Sequence, residues 1–185
     1  MNISDAPIGG AAAILRRDAE VDAAYRRLLE ILISTPAPRQ PRAKASPLFV
    51  YDQRAFQADL RAQLRGLGWS HGRSLSEDAT FDGVRIPGVQ ADMLGDGLHV
   101  ILEFGNRTSW AHNLMTRALG AAARDLTRLT VFVMPTQAFA RRIDTNLATF
   151  ERVAASLHMI ERWRPEVVPG PLMLVGIVPD PLAPE

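Results

Sequence analysis

VQADMLGDGLHVILEFGNRTSW, residues 89–110, is the stretch on which the fold turns. Two apolar runs, 89–94 and 98–104, flank Gly95-Asp96-Gly97. Asp-Gly between apolar runs signals a hairpin, because both central residues of its tight turn need positive φ. On the second run side chains alternate. Leu98, Val100, Leu102 and Phe104 share one face, and His99, Ile101 and Glu103 the other. The hairpin brings Asp92, near the end of the first strand, beside Ile101 and Glu103. Converging carboxylates repel unless a cation lies between them, and hard Mg²⁺ prefers oxygen ligands. A metal held there activates water and steadies a scissile phosphate. On spacing alone, the simpler account of the pair is two acids at a solvated sheet edge.

Outward from this hairpin, the chain reads as alternating helices and strands. Residues 16–34 carry Val21, Ala24, Tyr25, Leu28, Leu29 and Leu32 at helical spacing. Pro36, Pro38 and Pro41 stop that helix and begin a Pro- and Arg-rich linker, in which Arg39, Arg42 and Lys44 are free to reach a partner. Residues 1–45 are therefore expected to form a helix-and-linker arm. A second helix is expected over 54–66, leading to Trp69, then a polar loop over 70–88 with a short hairpin at 81–84. After the central hairpin, a helix over 109–125 follows, with Ser109 as its cap. A buried strand over 129–134, a helix over 146–163 and a last strand over 172–178 complete the order. A hairpin strand that feeds a helix and then further buried strands implies an α/β fold with a mixed sheet and helices on both faces.

Composition narrows the classes. The 185 residues suffice for one real core, and 47% apolar residues make the chain globular. There is no cysteine, which removes disulfides and thiolate zinc sites and suits the cytoplasm, the expected location. No run is long enough for a membrane span, and a start without a basic segment and with Asp5 is not a signal peptide. A net charge of +1 does not announce nucleic acid. The 21 basic residues are nonetheless 20 arginines and the single Lys44, so any mechanism that needs a lysine must use Lys44.

From about Ser46 to Val178 the sequence resembles the BglII/BstYI branch of type II restriction endonucleases. The carrying pieces are Leu48-Phe49-Val50-Tyr51-Asp52-Gln53 with the helix after it, Asp92 and its strand, and Glu103-Phe104-Gly105-Asn106-Arg107. Pro135-Thr136, Ile143-Asp144, Ala148-Thr149-Phe150-Glu151-Arg152 and Val175-Gly176-Ile177 follow in the family's order. The Phe-Gly-Asn run directly after the catalytic strand is the most distinctive mark. The resemblance implies a PD-(D/E)xK nuclease-like domain over 46–185, with a restriction-endonuclease-like mixed central sheet flanked by helices. It implies Mg²⁺ as cofactor, double-stranded DNA cut at a short specific site, a homodimer and, in the same system, a DNA methyltransferase; no membrane is involved.

Residue by residue the resemblance is partial. The first metal acid matches Asp92. The family's next strand carries an acid, one intervening residue and a Gln, Lys or Glu; here those positions are Ile101 and Glu103. Glu103 fits, whereas Ile101 cannot ligate a metal. Three accounts stay open. Glu77, Asp78 or Asp82 supplies the missing acid, with Glu77 the first choice as a catalytic residue beside Asp92 and Glu103. Or Asp92 and Glu103 hold the metal alone, with His99 or Asn106 helping. Or the centre has been lost, and a catalytically degenerate relative binds DNA or serves as a non-catalytic subunit. Asn106, Arg107, Arg39, Arg42 and Lys44 are the candidate DNA contacts, and Arg141-Arg142 the candidate phosphate contacts. His112 either faces the cleft or is an ordinary helix residue; Trp110 and Trp163 belong to the core or a dimer interface. A nuclease requires Asp92, Glu103 and an acid from 77–82 to converge. A degenerate relative requires Ile101 to seal an apolar pocket. A small-molecule enzyme, the third class, requires a closed apolar pocket instead of an open basic cleft.

Overall fold

The computed structural model describes residues 1–39, 51–81, 84–86, 88–168 and 170–178, with the backbone alone over 79–81 and 84–86. Its centre is the expected hairpin. Strand β5 (Met93–Gly95) pairs antiparallel with β6 (Leu98–Leu102), Gly95 opposite Leu98. Asp96 and Gly97 form the two-residue turn, with φ of 49° and 79°, the left-handed pair that Asp-Gly accommodates. The Trp69 ring lies against Gly95, where an added Cβ would come within 2.3 Å of it, and Trp69 Nε1 donates to Asp96.

The sheet has six strands in the order β1-β8-β7-β6-β5-β2. Strands β6, β7 (Leu129–Pro135) and β8 (Leu172–Val178) run parallel, buried almost throughout, which is why the last two read as unbroken apolar runs. β2 (Ser70–His71) adds antiparallel to β5, and β1 (Asn2–Ile8) antiparallel to β8. One face carries α1 (Ala11–Arg17), α2 (Ala19–Ser34), α3 (Gln53–Gly66) and α6 (Gln137–Ala140), packed on Val100, Leu102, Val131 and Val175. The other carries α4 (Ser109–Asn113), a π-helical turn (Leu114–Ala118), α5 (Leu119–Ala122) and α7 (Phe150–Trp163). There Leu114, Ala118, Val153 and Leu157 pack on Ile101, Phe132 and Leu174. A separate hairpin, β3 (Ala79–Phe81) and β4 (Val84–Ile86), stands where the short one was expected.

Several elements differ from expectation. β1 was not predicted: NISDAPI carries Asp5 and Pro7, and most of its side chains are exposed or half-buried. As an edge strand it pairs on one side only, so proline is tolerated, and Asp5 accepts from the Tyr25 hydroxyl on α2. The N-terminal segment thus extends the sheet and covers it: Val21, Ala24, Tyr25, Leu28 and Leu32 are buried, with Leu29 alone of the expected set half-buried. α7 starts at Phe150 instead of 146 because residues 146–148 are held by the loop after β6: Arg107 N donates to Asn146 O and Ala148 N to Gly105 O. The helix expected over 109–125 is broken in register by the π turn, a feature often found at functional sites.

Candidate active site

Asp92 stands one residue before β5. Met93 pairs with Val100, so Asp92 comes level with Ile101, as the hairpin required. Its carboxylate is 3% exposed and fully engaged. Arg61 Nε donates to Oδ1 at 2.9 Å and its Nη2 to Oδ2 at 3.3 Å. Oδ2 also accepts from Leu102 N at 3.0 Å, and His71 Nε2 lies 3.7 Å from Oδ1. Arg61 was not singled out in the sequence. Its signal lay in α3, where the apolar stripe Phe56, Leu60, Leu64 puts Arg61 at the edge of the buried face, within reach of β5.

Glu103 lies just past β6 and is 1% exposed. Its Oε1 accepts from Gly105 N at 2.9 Å and from Ser109 Oγ at 3.0 Å; Oε2 accepts from Asn113 Nδ2 at 2.6 Å. The run Phe104-Gly105-Asn106-Arg107 builds this nest. Phe104 joins the core, and its carbonyl accepts from Gln53 at the start of α3. A Cβ at Gly105 would sit 2.0 Å from Ser109 Oγ and 2.7 Å from Glu103 Oε1, so only glycine fits there. Asn106 Oδ1 accepts from Thr108 N, Thr108 Oγ1 and Ser109 N at 3.1, 2.8 and 3.1 Å. The helix start is therefore capped by Asn106, and Ser109, the expected cap, turns its hydroxyl to Glu103 instead. Asn106→Ala is expected to cost about 1 kcal/mol, as loss of a cap does, read as a lower urea midpoint at unchanged m-value. A midpoint equal to the wild type would show that the turn holds without it.

Between the acids lies Ile101, fully buried with Phe132, Leu114 and Ala118. His99, on the same face, is also fully buried, and neither ring nitrogen has a hydrogen-bond partner among the described residues. Burial lowers its pKa from 6.5 to about 4; the Asp92 charge pulls the other way and the Arg117 charge adds to the lowering. The folded chain keeps His99 neutral down to about pH 4, while the unfolded chain protonates it below 6.5. The stability this holds is fully present above pH 6.5 and is lost as pH falls towards 4, about 3 kcal/mol in all. Urea unfolding at pH 7 and pH 4.5 of wild type and His99→Leu checks it: the variant is expected to lose distinctly less. Equal losses would contradict the assignment.

The other expected residues disperse. Glu77 is exposed and makes no hydrogen bond or ion pair with Asp92 or Glu103. Asp78 accepts from Gly88 N at 2.7 Å. Asp82, Arg42 and Lys44 lie outside the described residues. Among the described residues, no three His, Asp or Glu side chains converge as a cation requires. Arg39 bridges to Tyr51 through its backbone, and Arg107, exposed, donates from its side chain to Thr145 O at 2.9 Å. His112 faces an open cleft of about 770 Å³ with Asn113, Arg117 and Gln90. Trp110 is half-buried and Trp163 is 67% exposed. As placed, the residues do not fit Mg²⁺: the side chain level with Asp92 is the aliphatic Ile101, and the oxygens of both carboxylates already accept hydrogen bonds from their own chain. No helix among the described residues is long and apolar enough to cross a membrane.

No family model and no curated protein matches the chain. Solved structures do match. The chain is similar to restriction endonuclease BglII complexed with a DNA 16-mer, with a TM-score of 0.72 and 16% identity over 99% of this chain and 81% of that one. It is similar to free BglII, with a TM-score of 0.70 and 15% identity over 99% and 82%. Six mixed strands flanked by helices, the N-terminal segment included in the match, therefore form the α/β fold of a restriction endonuclease.

Proposed function

We propose that the chain binds double-stranded DNA through a restriction-endonuclease fold in which the metal centre has become a hydrogen-bonded staple. The observation that carries this is the state of the centre. Ile101 fills the place of a metal acid inside an apolar cluster, and Arg61 and Asn113 close the acids on either side of it. Buried acids that accept from Arg, amide and backbone donors hold elements together: Asp92 ties α3 to β6, and Glu103 ties β6 to α4. The DNA reading rests on the fold shared with a DNA-complexed enzyme, together with the exposed arginines near the ends of β6 and β7. We place such a protein in the cytoplasm with its DNA. Fluorescence anisotropy with a labelled 16-bp duplex tests it. Binding is expected to weaken linearly in log Kd against log salt, as phosphate contacts dictate. No binding at low salt would overturn it.

A second reading is Mg²⁺-dependent hydrolysis of duplex DNA at a short specific site by a homodimer, with a methyltransferase partner. One observation favours it. The 770 Å³ cleft opens beside Asn113, the partner of Glu103, and is lined by His112 and Arg117. It requires an acid from the 77–82 loop to be drawn in beside Asp92 and Glu103, and those contacts to open. The homodimer would bury Met115, Met159, Trp163 and Val167, whose apolar side chains are exposed.

A further inference from the structure

The loop that Arg107 closes forms one wall of a second pocket, away from Asp92. It lies beyond the ends of β6 and β7, between α6 and the start of α7, with an empty volume of about 550 Å³. Arg107, Arg141 and Arg152 line it from three different segments, together with Gln137 and Thr149. All three arginines are exposed, and Arg141 and Arg152 make no ion pair among the described residues. The nearby acids are spent on backbone: Glu151 accepts from Gln137 N at 2.9 and 3.1 Å, and Asp144 from Asn146 N at 2.8 Å. Thr149 is 6% exposed, and its hydroxyl oxygen, itself buried, has no hydrogen-bond partner among the described residues. It sits at the cap position of α7 yet caps nothing.

An unpaired buried hydroxyl is a cost that a fold keeps for a reason or loses by mutation. Three exposed guanidinium groups from separate segments gather positive charge that an anion among them offsets. Guanidinium forks with a hydroxyl donor are the groups that hold tetrahedral oxyanions, the planar forks in bidentate fashion. We propose that this pocket binds a phosphate group, held by Arg107, Arg141 and Arg152 and completed by the Thr149 hydroxyl. The phosphate comes either from a nucleic-acid backbone, in which case the proposal rests on the DNA reading above, or from a free phosphate or phosphomonoester.

Inorganic phosphate, followed by calorimetry and by the backbone amide resonances of 149–152, tests the site directly. Thr149→Val keeps the side-chain shape and removes the orphan hydroxyl. It is expected to leave folding intact or slightly firmer, while weakening phosphate binding roughly tenfold, the size of one charge-assisted hydrogen bond. Arg141→Ala/Arg152→Ala is expected to abolish it. Displacement of phosphate by a 16-bp duplex, with the salt slope of duplex binding lowered by about 1 in the double variant, supports the site with the DNA backbone as source. Phosphate binding that the duplex cannot displace supports the site with a free phosphate as source and counts against the DNA reading. Duplex binding whose affinity and salt slope ignore both variants, with no phosphate binding, overturns the site and leaves the DNA reading standing. Binding of neither ligand overturns both.

Discussion

Ile101→Glu is expected to destabilise the protein by about 4 kcal/mol at pH 7, an uncompensated carboxylate in an apolar cluster being among the costliest single changes. Ile101 is fully buried, and its neighbours Phe132, Leu114 and Ala118 offer no side-chain donor. For a chain of this size that is a fall in melting temperature on the order of 10 °C. The substitution also sets a third acid level with Asp92. Millimolar Mg²⁺ is therefore expected to raise the melting temperature of the variant, because a cation among three acids offsets their repulsion and desolvation. The wild type should not respond. Thermal unfolding with and without Mg²⁺ checks both halves. A variant that melts with the wild type would show that Ile101 is not packed as described. A wild type stabilised by several degrees in Mg²⁺ would show a metal centre already present.

The second large effect concerns Asp92 and has a sign that separates the two functional readings. Asp92→Asn leaves the Arg61 guanidinium without its counter-charge at a site where the acid is 3% and Arg61 26% exposed. The expected loss is about 2–3 kcal/mol, below the figure for a fully buried pair because Arg61 keeps some water. Arg61→Met combined with Asp92→Asn is expected to be more stable than Asp92→Asn alone, since the second change removes the stranded charge. A carboxylate kept for catalysis behaves the other way. It is held at a cost in stability, and its replacement by the neutral isostere firms the fold. Denaturant unfolding of the two single variants and the double variant gives the coupling. A stabilised Asp92→Asn would speak for the nuclease.

Much of the architecture was legible because local rules and packing agree in it. Asp96-Gly97 fixed the hairpin through a turn that needs two positive φ values, and the apolar runs of β7 and β8 marked two strands, which the fold sets parallel and buries. The alternation Leu98 to Glu103 correctly placed Ile101 opposite the Val100 face, and the pairing correctly put Asp92 level with it. What stayed hidden depends on partners distant in sequence. β1 is strand only because β8 offers it an edge; its own Asp5 and Pro7 argue against it. Arg61 binds Asp92 across 31 positions; the α3 stripe sets Arg61 at the edge of the buried face, but only the tertiary fold makes Asp92 its partner. The Phe104–Arg107 run stood out by resemblance. Its physical content, a cradle in which Gly105 makes room for Ser109 and Glu103 while Asn106 caps the next helix, needed coordinates. The orphan hydroxyl of Thr149 had no sequence signal, since a threonine before a helix reads as a satisfied cap.

Duplex binding without cleavage is what we propose for this protein. Incubation of the purified protein with unmodified genomic and plasmid DNA, in Mg²⁺ and separately in Mn²⁺, checks both halves when the same samples are assayed for binding. The expected result is salt-sensitive retention of duplex with every strand intact. Discrete fragments, absent with Asp92→Asn and with Glu103→Gln although both variants remain folded, would contradict it and establish a specific nuclease.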